Sequence, residues 1–230
     1  PIGGAKATIP WQLCRCAMLS PVIAVDVLRR ALAQHDRWDM PALPGHTNHL
    51  ETGVLVPLVA AGEDLVCLAT VRASNLRHHA GEVCFPGGRP EPGDDDLVAT
   101  ALREAEEELG LGGAEVIGPL SSIPLYTSDF RLRPFLAVVP EQPLRPNAEV
   151  AEVLRRPHVD AIPWRHPTTH HEHLSPVFPV GAHRIYGATA HTFLEVLRLV
   201  APLLGEVVPP LRTGTYDWPD VMVQGADIPP

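Results

Sequence analysis

The sequence predicts an α/β protein organised around one large domain. Residues 53–61 and 65–71 are apolar, β-branched runs separated by Ala-Gly-Glu-Asp, the pattern of a hairpin. Leu97–Leu109 and residues 190–204 instead repeat their apolar positions at helical spacing. With 230 residues, 45% apolar and 20% charged, the chain is long enough to bury a sizeable core.

The elements follow in chain order. Pro21 after Ser20 makes a helix start, and Val22, Val25, Leu28, Leu32 and Ala33 recur at helical spacing before the polar residues 34–39. Residues 41–49 read as a linker. Beyond the hairpin, strand candidates fall at 82–85, 114–120, 124–126, 132–139 and 159–163. Residues 149–155 read as a short helix stopped before Pro157, and after Gly205 no period is sustained. The expected organisation is a helix and linker over 1–48, a main domain over 49–204 and an irregular tail over 205–230. The 18 Gly and 26 Pro predict many turns and long loops.

Composition narrows the function. Eighteen basic against 27 acidic side chains leave a net charge of −9, a field that repels nucleic acid and anionic lipid. No apolar stretch reaches the roughly 20 residues of a membrane helix, and residues 1–20 lack the pattern of a secretory signal. A soluble, cytoplasmic protein is expected. Cys14, Cys16, Cys67 and Cys84 are read as reduced thiols, the last two buried in apolar runs.

The chemistry starts on the helix at Leu97–Leu109. Spacings of four, three and four put Val98, Leu102, Ala105 and Leu109 on one face, read as core. Glu104, Glu107 and Glu108 fall together on the opposite face, with Gly110 ending the helix. Alone, such a run is most simply a solvated acidic face. The loop before it changes the weighing. Phe85-Pro86-Gly87-Gly88 ends a strand candidate with two glycines, where backbone approaches a metal or phosphate without Cβ obstruction. Crowded carboxylates need a compensating cation, and hard oxygen donors without thiolate or imidazole point to Mg²⁺ or Mn²⁺.

Arg103-Glu104-Ala105-Glu106-Glu107-Glu108-Leu109-Gly110-Leu111 resembles the second half of the Nudix hydrolase signature at every position. The first half departs from it. Gly88 lies one residue too far from Arg103, and Asp94 or Asp95 stands where the family has Glu. A box with that extra residue is found in the branch that resembles coenzyme A pyrophosphatases, and the second motif of that branch is matched by Leu68, Thr70, Arg72, Ala73, Arg77, Gly81 and Phe85 to Gly88, with Ala69 the single mismatch. Weaker echoes lie at Pro134-Phe135, at Asn147 with Glu149-Val150-Ala151-Glu152, and at residues 185–190.

The resemblance implies an α/β/α sandwich with a mixed sheet, and hydrolysis of the diphosphate in coenzyme A or acyl-CoA to phosphopantetheine and 3′,5′-ADP. It implies a metal held by Glu104, Glu107 and Glu108 with a carbonyl near Gly87 or Gly88. Arg72, Arg77 and Arg89, with Gly81, Phe85, Gly87 and Gly88, would bind substrate, guanidinium forks suiting phosphate oxygens. Arg103 would support the loop through Asp94, Asp95 or a neighbouring Glu. The general base would be Glu149, or Glu104 or Glu107 directly, and Glu149 reads equally well as a solvated acid at a helix start. His78 and His79 would meet an adenine or phosphate, or be plain loop polarity. His166, His170, His171 and His173 read as a solvated loop rather than a metal site. Two other readings compete: a Nudix hydrolase of another nucleoside diphosphate derivative, and a catalytically silent, ligand-sensing domain, which the three retained carboxylates disfavour. The terminal segments would cover the core, extend a homodimer interface or shape the substrate pocket.

Overall fold

A computed structural model describes residues 21–43, 45–61, 64–125, 128–155, 160–165, 172–180, 182–204 and 208. The central sheet is mixed. β1 (Leu50–Ala61) runs antiparallel to β2 (Asp64–Arg72) and parallel to β7 (Phe130–Pro140). β5 (Glu115–Pro119) and β6 (Ile123–Pro124) both pair antiparallel with β7. β1 and β2 are paired from Leu58–Cys67 to the turn and then part, and the chain at 83–88 fills the fork. Its first half, β3 (Val83–Cys84), pairs with Thr70 and Val71 of β2. Its second half, β4 (Gly87–Gly88), pairs with Gly53 and Val54 of β1, and the N–H of Leu55 donates to Pro86 O at 2.9 Å. The two glycines therefore lie inside the sheet and not on a free loop.

Alternation along β1 divides the core in two. Leu55 and Val59 face α2 (Leu97–Leu109), packing with Ala101, Ala105, Leu109, Ala137 and Val139. Val54, Val56 and Leu58 face the other way, towards Leu28 and Leu32 of α1 (Pro21–Ala33) and Phe193, Leu194 and Val196 of α3 (Gly187–Val200). This is the α/β/α sandwich. A short 3₁₀ turn, Ala201–Leu204, continues α3. A second antiparallel sheet of β9 (Asp160–Arg165), β10 (Glu172–Val180) and β11 (His183–Ile185) delivers Phe178, whose ring meets that of Phe193 edge-on at 5.0 Å.

Several elements differ from the sequence reading. Residues 149–155 are not a helix: β8 (Val150–Arg155) pairs with the outer edge of β2, buries Leu154 and half-buries Val153. An unpaired edge next to a buried core outweighs a weak local helical pattern. β10 escaped notice because Pro176 and Pro179 interrupt its apolar run. On α2 the core stripe is Ala101, Ala105 and Leu109, with Thr100 and Glu108 also buried, while Val98 and Leu102 are only half-buried. Cys67 and Cys84 are free thiols, and burial pushes them up to about 12 and about 11. Cys14 and Cys16 lie outside the described residues, as do His166, His170 and His171, and the side chain of His173 is likewise outside them. Among the described residues no helix is long and apolar enough to cross a membrane.

The segment between α1 and β1 is stitched to the start of β7. Asn48, 2% exposed, accepts from Leu43 N at 2.9 Å and donates from Nδ2 to the carbonyls of Leu125, Ser128 and Phe130 at 3.0–3.1 Å. Its φ of 43° is in the left-handed region, which Asn tolerates better than most side chains. Asn48→Ala is expected to cost about 2–3 kcal/mol, since it removes the partner of the Leu43 N–H and of the Leu125 and Ser128 carbonyls, all part-buried. A denaturant midpoint unchanged in that variant would contradict this account of the linker.

Candidate active site

Gly53, a glycine in the middle of an apolar strand, sets the height of the acidic helix. A Cβ there would lie 2.3 Å from Leu97 O and 2.9 Å from Thr100 Cβ, so the first turn of α2 rests on bare backbone. Asp96 caps that turn, its Oδ1 accepting from Ala99 N at 2.8 Å. Gly110, at φ 67°, ends the helix, its N–H donating to Glu106 O at 2.8 Å. Between these fixed ends Glu104 lies over β4: a Cβ on Gly88 would lie 2.2 Å from Glu104 Oε1.

The three helix carboxylates do not share one exposed face. Glu107 is solvated, Glu104 mostly shielded, and Glu108 only 5% exposed. Burial pushes Glu108 up to about 7, aided by the negative charge of Glu104 and Glu149 and opposed by Arg72 and a backbone hydrogen bond from Gly87. Burial also raises Glu104. Arg72 and Glu149 thus belong to the surroundings of Glu108, with Arg72 Nη2 3.9 Å from Glu149 Oε2. Glu149 is held through its backbone, its N–H donating to Asn147 Oδ1 at 2.8 Å and its carbonyl accepting from Ala73 N at 2.7 Å. Arg72 Nε is buried and has no hydrogen-bond partner among the described residues.

Arg103 gathers the loop. Its Nε and Nη2 donate to the two oxygens of Asp94 at 3.1 Å, Nη1 reaches Glu104 Oε1 at 3.2 Å and Glu107 Oε2 at 3.1 Å, and Nη2 also donates to Arg89 O at 2.9 Å. Asp94, and not Asp95, takes this fork, and Thr100 Oγ1 donates to the same carboxylate at 2.9 Å. The guanidinium holds Asp94 down to about 2. A depressed acid stabilises the fold above its ordinary range near 4, and that contribution is lost as pH falls through about 2. Asp94→Asn is expected to lower Tm at pH 7 and to flatten the loss of Tm between about pH 4 and pH 2. Parallel acid-melting curves for both proteins would contradict the assignment.

Other candidates are placed elsewhere. Phe85 is buried in the core: 5% exposed, it lines a small apolar cavity with Cys67, Ala69, Leu154, Val180, Ile185 and Phe193, because alternation along β3 turns it inwards with Val83. Gly81, at φ 73°, makes the turn that returns its N–H to Arg72 O at 3.0 Å. Arg77 and His78 are exposed on that loop, while His79 Nδ1 lies 3.1 Å from Glu82 Oε2. Arg89 sits over the ring of Phe130, 4.4 Å from its centroid. Sequence reasoning passed over Gly53 and Thr100. A glycine interrupting an apolar strand was the available signal for the first, and nothing in local pattern marks the second.

Among the described residues no three His, Cys, Asp or Glu side chains already gather about one point, Glu104 and Glu107 being drawn onto Arg103 and Glu108 towards Gly87. The donors nevertheless fit a hard divalent cation. They are all oxygen, burial raises the two acids Glu104 and Glu108, and the missing Cβ of Gly88 lets the Glu104 carboxylate lie directly on the strand backbone.

These features define a Nudix fold with its acidic helix, and the chain belongs to the Nudix family: residues 48–179 match the NUDIX domain. It is 37% identical over 141 residues to the peroxisomal coenzyme A diphosphatase NUDT7 of Mus musculus, covering 60% of this chain and 59% of that protein. It is 40% identical over 164 residues to the mitochondrial coenzyme A diphosphatase NUDT8 of Homo sapiens, covering 65% and 69%. A Nudix hydrolase, NudL, of Yersinia enterocolitica is 41% identical over 96 residues, covering 41% and 48%. The match thus spans between about half and two thirds of these relatives' lengths.

Proposed function

We propose that this chain is a metal-dependent pyrophosphohydrolase that cuts the diphosphate of coenzyme A or an acyl-CoA. Water adds to one phosphorus, the bridging P–O bond breaks, and phosphopantetheine (or its acyl form) and 3′,5′-ADP leave. The observation that carries the chemistry is the packing of Glu104 and Glu108 against the side-chain-free strand Gly87–Gly88, with Arg72 at its edge. The substrate rests on the motif from Leu68 to Gly88 and on the names of the two relatives that are diphosphatases.

Glu104, Glu107 and Glu108, with a carbonyl of the Gly87–Gly88 strand, would hold Mg²⁺ or Mn²⁺. When bound, the cation neutralises diphosphate charge and acidifies water. Arg72, whose side chain is partly exposed beside Glu149, binds phosphate oxygens through its terminal nitrogens, and Arg77 approaches from the exposed loop. Arg103 positions Glu104 and Glu107 and ties them to Asp94. Glu149 orients Arg72 and is the candidate proton acceptor. The proposed setting is the cytoplasm, whereas the two diphosphatase relatives are named for the peroxisome and the mitochondrion.

Product analysis with Mg²⁺ and then Mn²⁺ tests this on coenzyme A, NADH, ADP-ribose and a nucleoside triphosphate separately. Release of 3′,5′-ADP from coenzyme A, with slow or no turnover of the others, is expected. Preferential cleavage of another substrate would overturn the specificity, and no turnover at all would favour a ligand-sensing domain.

A further inference from the structure

Arg89 follows Gly88 directly, yet alternation turns its side chain away from Glu104 to the opposite side of the sheet, where it stacks on Phe130. Phe130 pairs in register with Leu50, and the two project from the same face. Leu50 is one of the few large apolar side chains left exposed among the described residues, at 41%. The stack is anchored on both sides. Arg89 O accepts from Arg103 Nη2 at 2.9 Å, and Phe130 O accepts from Asn48 Nδ2 at 3.1 Å and from Leu125 N at 2.9 Å. A cationic, planar, partly apolar patch is thus fixed one residue beyond the strand on which the diphosphate would lie.

We infer that Arg89, stacked on Phe130 beside Leu50, is the subsite that holds the nucleotide end of the substrate, taking an aromatic base and the phosphate monoester beside it. This rests on the function proposed above. Of the two halves that a coenzyme A diphosphate joins, the pantetheine arm is flexible and uncharged. The other carries a flat base and a dianionic phosphate. A guanidinium lying over a benzene ring is a planar cation that suits an aromatic base and carries N–H groups for phosphate oxygens. In a chain of net charge −9, such a cation also draws the anionic end of a substrate to this side of the sheet. Arg89 is in this reading a specificity residue for the end of the substrate, not an anchor for the scissile diphosphate.

The test compares coenzyme A with its form lacking the 3′-phosphate, in wild type, Arg89→Ala and Arg89→Lys. Arg89→Ala is expected to raise KM for coenzyme A by about tenfold or more, with the change falling on KM rather than kcat, and to raise KM for the dephosphorylated form by less than about threefold. Arg89→Lys should recover part of the phosphate preference without the stacking. Calorimetry with 3′,5′-ADP and 5′-AMP gives a readout independent of turnover: wild type should prefer 3′,5′-ADP, and Arg89→Ala should lose that preference. Equal effects of Arg89→Ala on both substrates, or an unchanged preference in calorimetry, would overturn the subsite. If wild type cleaves no coenzyme A the proposed function fails first, and calorimetry alone then decides the subsite.

Discussion

Glu108→Gln is expected to lower kcat by about three decades, the rate equivalent of several kcal/mol of lost metal assistance, while leaving the chain folded. The fold survives for a reason the sequence pattern did not give. Glu108 is a buried acid pushed up to about 7, lying against the glycine strand with the like charge of Glu104 nearby. A glutamine keeps the shape of the protonated acid, keeps an oxygen for the Gly87 N–H and removes the repulsion with Glu104. Tm should therefore stay within a few degrees or rise, as thermal melting followed by circular dichroism would read. A variant turning over within about threefold of wild type would remove Glu108 from the chemistry. A collapsed fold would mean that its charge is structural.

Two glycine substitutions separate the seat of the helix from the seat of the carboxylate. In Gly53→Ala the new methyl meets backbone, 2.3 Å from Leu97 O and 3.0 Å from Ala101 N, so α2 itself must shift. Overpacking of that kind costs about 2–3 kcal/mol, and Tm should fall by roughly 5–10 °C. In Gly88→Ala the atoms nearest the methyl are all in the head of Glu104, with Oε1 at 2.2 Å, and that head can swing aside. Stability should then be nearly kept while kcat falls by about a hundredfold, the scale on which a 1 Å misplacement acts. Equal loss of Tm in both variants would contradict the distinction between a structural and a functional glycine.

The sequence made the acidic helix visible because its motif is local, and Arg103, Glu104, Glu107, Glu108 and Gly110 lie within eight residues on one element. The β1–β2 hairpin and the long helices were visible because each carries its own period. What lay hidden depended on partners far along the chain. β8 is a strand because β2 offers it an edge, and Phe85 is core because β10, β11 and α3 close over it. Periodicity put Ala105 and Leu109 in the core stripe of α2, where the structure has them, but added the half-buried Val98 and Leu102 and left out Ala101 and Glu108. Only Gly53, across the sheet, reveals that the helix rolls so that Ala101 and Glu108 turn inwards. The burial of Glu108 could not be read from its neighbours, since carboxylates score as solvent-facing wherever they stand. The choice of Asp94 over Asp95 was likewise open until Thr100 and Arg103 were seen to converge on one carboxylate.

If Glu104 and Glu108 against the Gly87–Gly88 strand form the proposed divalent cation site, the folded chain should bind such an ion without substrate. Binding of Mn²⁺ to the full chain, followed by electron paramagnetic resonance of the free ion, addresses it without relying on turnover. Saturable binding by wild type, weakened at least about tenfold in both Glu104→Gln and Glu108→Gln and kept in Arg89→Ala, is the predicted result. No saturable binding by the folded wild-type chain, or equal binding in all four proteins, would contradict it.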